Sequence, residues 1–441
     1  MGILYKDSTL ACQALFLPLY QGMAPHHSPF SSLFSRVVIL FLVVRCLTYV
    51  AGWTMARVDP DSFDRTNYET LFFHRPEDPR MQPDAQIPFK SLWNYGDSEW
   101  YLSIAEHGYP TRSEFDSVNQ SGGVVPTTTD NSKVRYAFFP LFPMCIRLFA
   151  VFLPVEWAAF CVIQLVSLAG IFVLTKLWKL YFPDQEIKAL FAFSLLFLFP
   201  FSVFFACYYT ESLFLLLSAC CFLFVKQKRW LLMFAAGFLL CLTRPNGVFI
   251  VFPLFLALTQ EDLCKRNMRG FLFSNLVPKF CVAAIPLGLA SYFVVNHIKT
   301  GNWKTFSIVQ KEFWKYENAS ILTNFYNNVI QHSLTFFTRP LHDSSGSQVD
   351  YLVMIFVACT LIYMLISRFP LELTLWTGMI WAVPLLTKDL MSFSRYMSIS
   401  FPLFFMIGLR ASKQLNRSMI VLFSIGYFLA VWGIVNYRWV G

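Results

Sequence analysis

Apolar runs of membrane-spanning length recur along the sequence, and they constrain the fold more than any other feature. Of the 441 residues, 56% are hydrophobic and 14% are charged, whereas soluble proteins average about 25% charged residues. The bilayer core offers no water to satisfy backbone groups, so segments that cross it are expected to be helices. The sequence therefore predicts an all-α, polytopic membrane protein with a single integral membrane domain over residues 1–441.

About eleven spans follow from the lengths of these runs. The 11 cysteines lie mostly inside the apolar runs and form no CxxC or Cys/His spacing, so no metal site is predicted. The formal net charge of +9 is attributed to basic cytoplasmic loops rather than to nucleic acid binding. The predicted spans are 34–53, 158–178, 189–206, 211–225, 230–243, 247–259, 276–297, 350–367, 371–386, 391–409 and 418–436.

The segment 138–153, FFPLFPMCIRLFAVFL, decides the orientation. If it does not cross the membrane, nearly all basic loop residues share one side, which the positive-inside rule makes cytoplasmic. We therefore expect a helix that dips into the outer face. The N-terminus is then cytoplasmic. A large first loop at 54–157 with membrane-surface helices, a second loop at 298–349 and the C-terminus are then luminal or extracellular.

Three Asn-x-Ser sequons test this orientation. Asn119 and Asn318 fall in the two luminal loops and are expected glycosylation sites. Asn416 falls on the cytoplasmic side and is expected to stay unmodified.

The stretch WNYGDSEWYLSIAEHGYP, residues 93–110, gathers acidic groups within an oily chain. Its apolar residues fall on one helical stripe, which predicts an amphipathic helix on the membrane surface with its aromatic residues facing the membrane. Asp97 stands at the helix start, either as an N-cap or as a carboxylate that takes a proton from an acceptor hydroxyl. Glu99 is a second candidate carboxylate, about 200° further round the helix. Glu106 and His107 are candidate substrate-binding residues or simply a solvated helix end.

Further polar groups interrupt apolar runs at the ends of spans on the same face of the membrane. Ionisable groups at such depth are costly and are candidates for function. The alternative for each is structural: a capped helix start, a helix break, or a salt bridge from Arg395 to Asp389. An arginine at such a place is also suited to bind a lipid phosphate through paired hydrogen bonds. These candidate substrate-binding residues are Tyr209, Glu211, Arg244, Asn246, Arg395 and Tyr396.

At these positions the chain resembles the PIG-V family, GPI mannosyltransferase 2, and its bacterial relatives. The matching motifs run in order over roughly 93–402. The most specific are the Asp-x-Glu stretch that leads into IAEHGY, and AFFPLFP. Where the family has Trp directly before the Asp, this chain has Gly96. The motifs are DSE at 97–99, IAEHGY at 104–109, AFFPLFP at 137–143, YTE at 209–211, RPNG at 244–247, RY at 395–396 and FP at 401–402.

The resemblance implies a GT-C glycosyltransferase bundle in the endoplasmic reticulum membrane with a luminal active site. It implies transfer of the second, α-1,6-linked mannose from dolichol-phosphate-mannose to a GPI precursor. Asp97 is then the catalytic base, with Glu99 beside it, and Arg244 and Arg395 are phosphate-binding candidates. The partners are a lipid-linked donor, a glycolipid acceptor and the membrane; no cofactor is predicted. Two alternatives stay open: a GT-C transferase for another polyprenyl-phosphate sugar or acceptor, and a non-catalytic lipid or solute transporter.

Overall fold

The structure is a computed structural model of the 441-residue chain. It describes residues 30–58, 63–64, 87–113, 132–265, 267–314, 320–335, 342–343, 346–386, 390–438 and 440. Both expected glycosylation sites, Asn119 and Asn318, lie outside the described residues, as does Asp389.

Helices dominate the first half of the chain. Three of the connections between them are 3-10 segments that begin at or just after a proline, Phe89–Trp93, Pro200–Phe205 and Pro245–Ile250, and a fourth covers Ser132–Ala137. Proline fixes φ and lacks an N–H donor, so it suits a helix start and interrupts a helix interior. The helices are α1 Phe30–Val58, α2 Ser98–His107, α3 Leu141–Ala150, α4 Val155–Tyr181, α5 Glu186–Leu198, α6 Glu211–Lys226, α7 Trp230–Cys241 and α8 Val251–Cys264.

The second half continues in the same way. A π-helical turn, Tyr326–Gln331, joins two short helices, and β1 His342–Asp343 pairs antiparallel with β2 Gly346–Ser347. The helices are α9 Met268–Phe273, α10 Leu276–Ala284, α11 Leu287–Thr300, α12 Thr305–Trp314, α13 Ile321–Phe325, α14 His332–Thr335, α15 Gln348–Ile366, α16 Leu371–Leu385, α17 Phe393–Ser398, α18 Phe401–Arg410 and α19 Lys413–Val435.

The predicted all-helical, polytopic membrane protein is confirmed. Six segments of the described chain are long and apolar enough to cross a membrane: 32–58, 155–181, 245–264, 276–300, 348–366 and 413–435. The other five predicted spans are shorter or broken helices. One of them, the predicted span 391–409, is interrupted between α17 and α18 at residues 399–400, just before Pro402.

The segment 138–153 contains only the ten-residue helix α3, followed by a turn into α4. Ten residues reach about 15 Å, half of the roughly 30 Å hydrocarbon thickness. Met144, Leu148 and Phe152 are exposed while Phe142 and Ile146 are buried. A short helix with one apolar outer face fits a segment that enters the membrane and returns.

The expectation that the aromatic stripe of α2 faces the membrane is wrong. Tyr101, Ile104 and Ala105 are buried, together with Ser103, which the sequence placed off the stripe. The Tyr101 ring packs edge-on against Phe138, with centroids 5.1 Å apart. The stripe is apolar because α2 packs against protein, which periodicity alone cannot distinguish from packing against lipid.

We expect Asn416 to stay unmodified, and the structure adds a reason that is independent of membrane side. Its side chain is buried and donates hydrogen bonds to the carbonyl oxygens of Gly408 and Ala411, at 3.4 and 3.2 Å. If Asn119 and Asn318 are modified, both glycans are expected on the same, luminal side. The measurement is cysteine labelling from each side of sealed microsomes, and labelling of residues near 120 and 228 from the same side would overturn this orientation.

Candidate functional site

Four charged side chains from distant parts of the chain meet inside the bundle. Arg395 Nη1 lies 3.3 Å from Asp97 Oδ2, and Arg395 Nε lies 3.5 Å from Glu211 Oε1. Arg244 donates a hydrogen bond from Nη2 to the same Glu211 oxygen. Glu211 thus lies between two arginines, and the four groups carry a formal net charge of zero. We call Asp97, Glu211, Arg244 and Arg395 the charge cluster.

The two carboxylates of the cluster differ in their exposure to solvent. The Glu211 side chain is fully buried, whereas the Asp97 side chain is 33% exposed. Both arginine side chains are 10% exposed. A molecule that approaches the cluster therefore reaches Asp97 and the arginine edges, while Glu211 is the buried counter-ion that makes two adjacent cations tolerable.

The turn that carries Asp97 is held by its backbone. The Asp97 N–H donates to the Tyr209 hydroxyl at 2.7 Å, and the Gly96 N–H donates to the Tyr437 hydroxyl at 3.0 Å. Asp97 occupies the N-cap position of α2, but its side chain makes no capping hydrogen bond. The N-cap interpretation therefore has no support in the geometry, and the carboxylate is directed to Arg395 instead.

Glu211 and Arg244 meet where two helical segments begin. Glu211 is the first residue of α6, and Arg244 directly precedes the 3-10 segment 245–250 in extended conformation. Arg244 Nε donates to the Thr210 hydroxyl at 2.5 Å. Within the described part of the chain, the buried atoms Arg244 Nη1 and Glu211 Oε2 make no hydrogen bond. The Nη1 nitrogen of Arg244 therefore has no hydrogen-bond acceptor among the described residues.

Arg395 is positioned by a residue that the sequence analysis did not select. Asp350, fully buried at the start of α15, accepts a hydrogen bond from the Ser394 N–H at 2.8 Å. Its other carboxylate oxygen accepts from the N–H and hydroxyl of Ser347. Asp350 thus ties the start of α15 to α17, next to Arg395. The sequence signal was an acidic residue at the edge of an apolar run.

Aromatic side chains surround the cluster. The Tyr396 ring lies 5.5 Å from the guanidinium carbons of both Arg244 and Arg395, a distance suited to cation–π attraction. The Tyr101 ring is 6.3 Å from Tyr209. Burial raises the pKa of Tyr101 well above that of free tyrosine, so its phenol stays protonated at neutral pH. Among these neighbours, carboxylates remain the candidates for a base.

The cluster lies inside the bundle but toward one face. The helix α6 runs about 24 Å from Lys226 to Glu211 at about 1.5 Å per residue, and the hydrocarbon core is about 30 Å thick. With Lys226 at one membrane face, Glu211 lies several ångström short of the other. The segment 87–113 contributes Asp97 to the cluster.

Six of the ten sequence-predicted residues come together here: Asp97, Tyr209, Glu211, Arg244, Arg395 and Tyr396. Glu99 accepts a hydrogen bond from Asn94 at 2.9 Å. Glu106 and His107 are exposed at the end of α2, 4.0 Å apart. Asn246 is half-buried and belongs to none of the ion pairs among described residues. Sequence reasoning missed Tyr437, whose contact with Gly96 joins residues 341 positions apart and leaves no local signal.

No group of three or more His, Cys, Asp or Glu that could hold a metal ion occurs among the described residues.

Replacing Gly96 with Ala is expected to reduce activity about 100-fold, the size of effect that a misplacement of about 1 Å produces. An added Cβ would lie 2.3 Å from the Tyr209 hydroxyl, and Gly96 has a φ of +54°, which side chains disfavour. The hydroxyl that holds Asp97 would have to move. Gly378→Ala is the matched control, because its Cβ would meet only Leu361 at 4.0 Å. Equal function of the two variants, with expression matched to wild type, would show that the tyrosine contact is dispensable.

Comparison with known proteins gives a structural resemblance but no sequence match. The sequence matches no family model, and no curated protein matches it significantly. A crystal structure of ArnT from Cupriavidus metallidurans bound to undecaprenyl phosphate is similar, with 14% sequence identity and a TM-score of 0.48. The match covers 87% of this chain and 62% of the ArnT chain, so this chain spans less than two thirds of that protein's length.

Proposed function

We propose that this protein is a membrane glycosyltransferase that takes a sugar from a polyprenyl-phosphate donor. The observation that carries the proposal is the charge cluster inside a polytopic membrane protein. The part-exposed carboxylate of Asp97 pairs with the buried Arg395, and Glu211 joins Arg395 to the buried Arg244. Such a set can accept a proton from a hydroxyl and stabilise a departing phosphate, the two tasks of glycosyl transfer from a phospholipid-linked sugar.

The finer proposal follows from the motif resemblance described above. The donor is dolichol-phosphate-mannose, the acceptor is a GPI precursor with one mannose, and the product carries a second, α-1,6-linked mannose. The reaction takes place on the luminal face of the endoplasmic reticulum. Because the donor is lipid-linked and the acceptor is a glycolipid, a site within the bundle but near one membrane face suits both substrates.

In this mechanism one displacement suffices, because a β-linked phosphate is replaced by an α-glycoside. The acceptor oxygen forms a bond to the anomeric carbon while the bond from that carbon to the phosphate oxygen breaks. Asp97 takes the proton of the acceptor hydroxyl, and dolichyl phosphate leaves with the bonding electron pair. Arg395 Nη1, 3.3 Å from Asp97 Oδ2, holds the carboxylate in place within the cluster.

Arg244→Lys is expected to lower transfer activity about tenfold or more, because loss of one charge-assisted hydrogen bond costs about 1.5–3 kcal/mol. The guanidinium contacts Thr210 and Glu211 with two of its nitrogens and keeps Nη1 for a phosphate oxygen. An ammonium keeps the charge but cannot make all three contacts in one plane. The measurement is the KM for the donor and kcat in membranes with matched expression.

Arg410→Lys is the matched control, since Arg410 lies at the exposed end of α18. An Arg244→Lys variant with wild-type kcat and donor KM would leave Arg244 with a structural role only.

The two alternatives differ from the proposal in testable ways. A transferase for another polyprenyl-phosphate sugar would need the same Asp97 but would accept a different donor in the assay. A transporter would move its lipid or solute without consuming the donor. Transporters commonly contain repeated halves with charges near the midplane, and no internal repeat is visible in this sequence.

The decisive experiment is complementation. Expression of this chain is expected to restore GPI-anchored proteins at the surface of cells that lack the second GPI mannosyltransferase. Cells with the Asp97→Asn variant should instead accumulate the one-mannose precursor. Glu261→Gln, a change at an acidic residue that is 85% exposed, is the matched control and should complement fully. Absence of rescue by well-expressed wild type would reject the GPI assignment, and in vitro screening of other lipid-linked sugars would then test the broader proposal.

A further inference from the structure

A second buried cation lies outside the charge cluster. Arg45 is in the middle of α1, about 20 Å from either end at about 1.5 Å per residue. It is 7% exposed, and no described carboxylate forms an ion pair with it. Its Nη1 makes no hydrogen bond within the described part of the chain. A buried cation without a counter-charge inside a membrane helix is costly and rare.

The protein contacts of Arg45 offset only part of that cost. Its guanidinium lies 4.9 Å from the Phe41 ring centre and 5.9 Å from that of Tyr49, which are cation–π distances. Nη2 donates to the Ser167 hydroxyl at 3.4 Å, near the upper limit for a hydrogen bond. Neither interaction supplies negative charge.

Arg45 lines a cavity between α1, α4, α5, α6 and α19. The lining includes Ser167 and Ser212, whose hydroxyls lie 3.1 Å apart, within otherwise mostly apolar walls. The Ser212 hydroxyl donates to the Phe205 carbonyl oxygen at only 3.4 Å. The guanidinium and these two hydroxyls are thus three hydrogen-bond donors around one cavity. The bonds from Arg45 to Ser167 and from Ser212 to Phe205 are both 3.4 Å long, so replacing them with bonds to a bound anion would cost little.

The size of the cavity limits what it can hold. Its volume is about 30 Å³, and one water needs about 10–15 Å³ on this scale. A monatomic anion fits in this space, and its single charge matches that of Arg45. We propose that this cavity is a binding site for a halide-sized monovalent anion, chloride under ordinary conditions, which serves as the counter-ion of Arg45. This site is separate from the proposed transfer reaction and does not depend on it.

The expected consequence of anion binding is stabilisation of the folded protein. A ligand that binds only the folded state raises the Tm in a saturable way. Chloride would connect α1 and α4 through Arg45 and Ser167, and it would also contact the start of α6 through Ser212, which directly follows Glu211. The effect is therefore expected on the stability of the bundle, whether or not transfer activity changes.

The test is thermal unfolding of the purified full-length protein in detergent, followed by tryptophan fluorescence. Sodium chloride replaces sodium gluconate at constant ionic strength, so that only the anion changes. Wild type is expected to show a saturable rise in Tm with chloride and a similar rise with bromide. No chloride-specific rise in wild type would overturn the proposal and would leave the cavity occupied by water only.

Three variants make the assignment specific. Arg45→Gln should lose the chloride-dependent rise, whereas Arg36→Gln should retain it, because Arg36 is on the same helix but its side chain is 58% exposed. Ser167→Ala, which keeps the cation and removes one donor, should raise the half-saturating chloride concentration about tenfold. This variant keeps the test valid if Arg45→Gln does not fold. An unchanged chloride response in Ser167→Ala and Arg45→Gln would contradict the site.

Discussion

Asp97→Asn is expected to lower the proposed mannose transfer about 10²–10⁴-fold, the usual contribution of a general base, while the protein stays folded. Asn has nearly the same shape and can keep one contact with Arg395, but it cannot take a proton at neutral pH. The assay is transfer from dolichol-phosphate-mannose to a one-mannose GPI precursor, with membrane expression matched to wild type. Glu261→Gln supplies the exposed carboxylate-to-amide control.

Asp97→Ala distinguishes the base from a capping residue. Asn caps helices about as well as Asp, whereas Ala costs about 0.5–2 kcal/mol at an N-cap. Because the Asp97 side chain makes no capping bond, both variants are expected to fold and both to be inactive. Near-wild-type transfer by Asp97→Asn together with instability of Asp97→Ala would make Asp97 a cap. The base would then have to be sought at Glu99 or Glu211.

The helical spans are the part of the structure that sequence predicts best. Uninterrupted apolar runs give α1, α4, α15 and α19 to within a few residues, because burial in a membrane demands both length and hydrophobicity. The interruptions within the predicted spans are harder to predict from the sequence. The helical segments at 276–284 and 287–300 were one predicted span, and Pro286 at the break explains the interruption.

The site was predictable in its members and not in its contacts. Glu211, Arg244 and Arg395 were selected because they are charged residues at the edges of apolar runs. Ionisable groups in a membrane are energetically costly and are therefore candidates for function. Their pairing was not predictable: Arg395 contacts Asp97, 298 positions away. The sequence offered a salt bridge to Asp389 only as the structural alternative, and Asp389 lies outside the described residues. Which ions pair depends on helix packing across the bundle, and a single sequence does not encode that locally.

The same limit explains why the orientation of α2 was wrong. The period of its apolar residues is a property of the helix, and it identifies a buried face without identifying what covers that face. The covering residues belong to the AFFPLFP motif: Phe138 and Phe142 pack on Tyr101, with ring centres 5.1 and 5.4 Å away. The AFFPLFP motif therefore positions α2, the helix that begins next to Asp97.

Glu211→Ala is expected to be the most destabilising single change in the cluster. It removes the carboxylate that contacts both Arg244 and Arg395, and loss of one partner from a buried ion pair costs about 3–5 kcal/mol. The measurement is the amount of monodisperse protein and its Tm in detergent. Glu372→Gln is the matched control, because Glu372 is also buried but pairs with a single cation, Lys226, at 2.9 Å.

A double variant then separates the stability of the bundle from its chemistry. Glu211→Leu combined with Arg244→Met replaces one buried pair with apolar side chains, an exchange that is often neutral for stability, while Arg395 keeps Asp97 as partner at 3.3 Å. This protein is expected to recover most of the Tm lost in Glu211→Ala and to remain inactive, because it lacks the guanidinium proposed to bind the donor phosphate. If Glu211→Ala folds as wild type, Glu211 is not the counter-ion that the geometry indicates. If the double variant is active, the cluster stabilises the bundle only and the phosphate must be bound elsewhere.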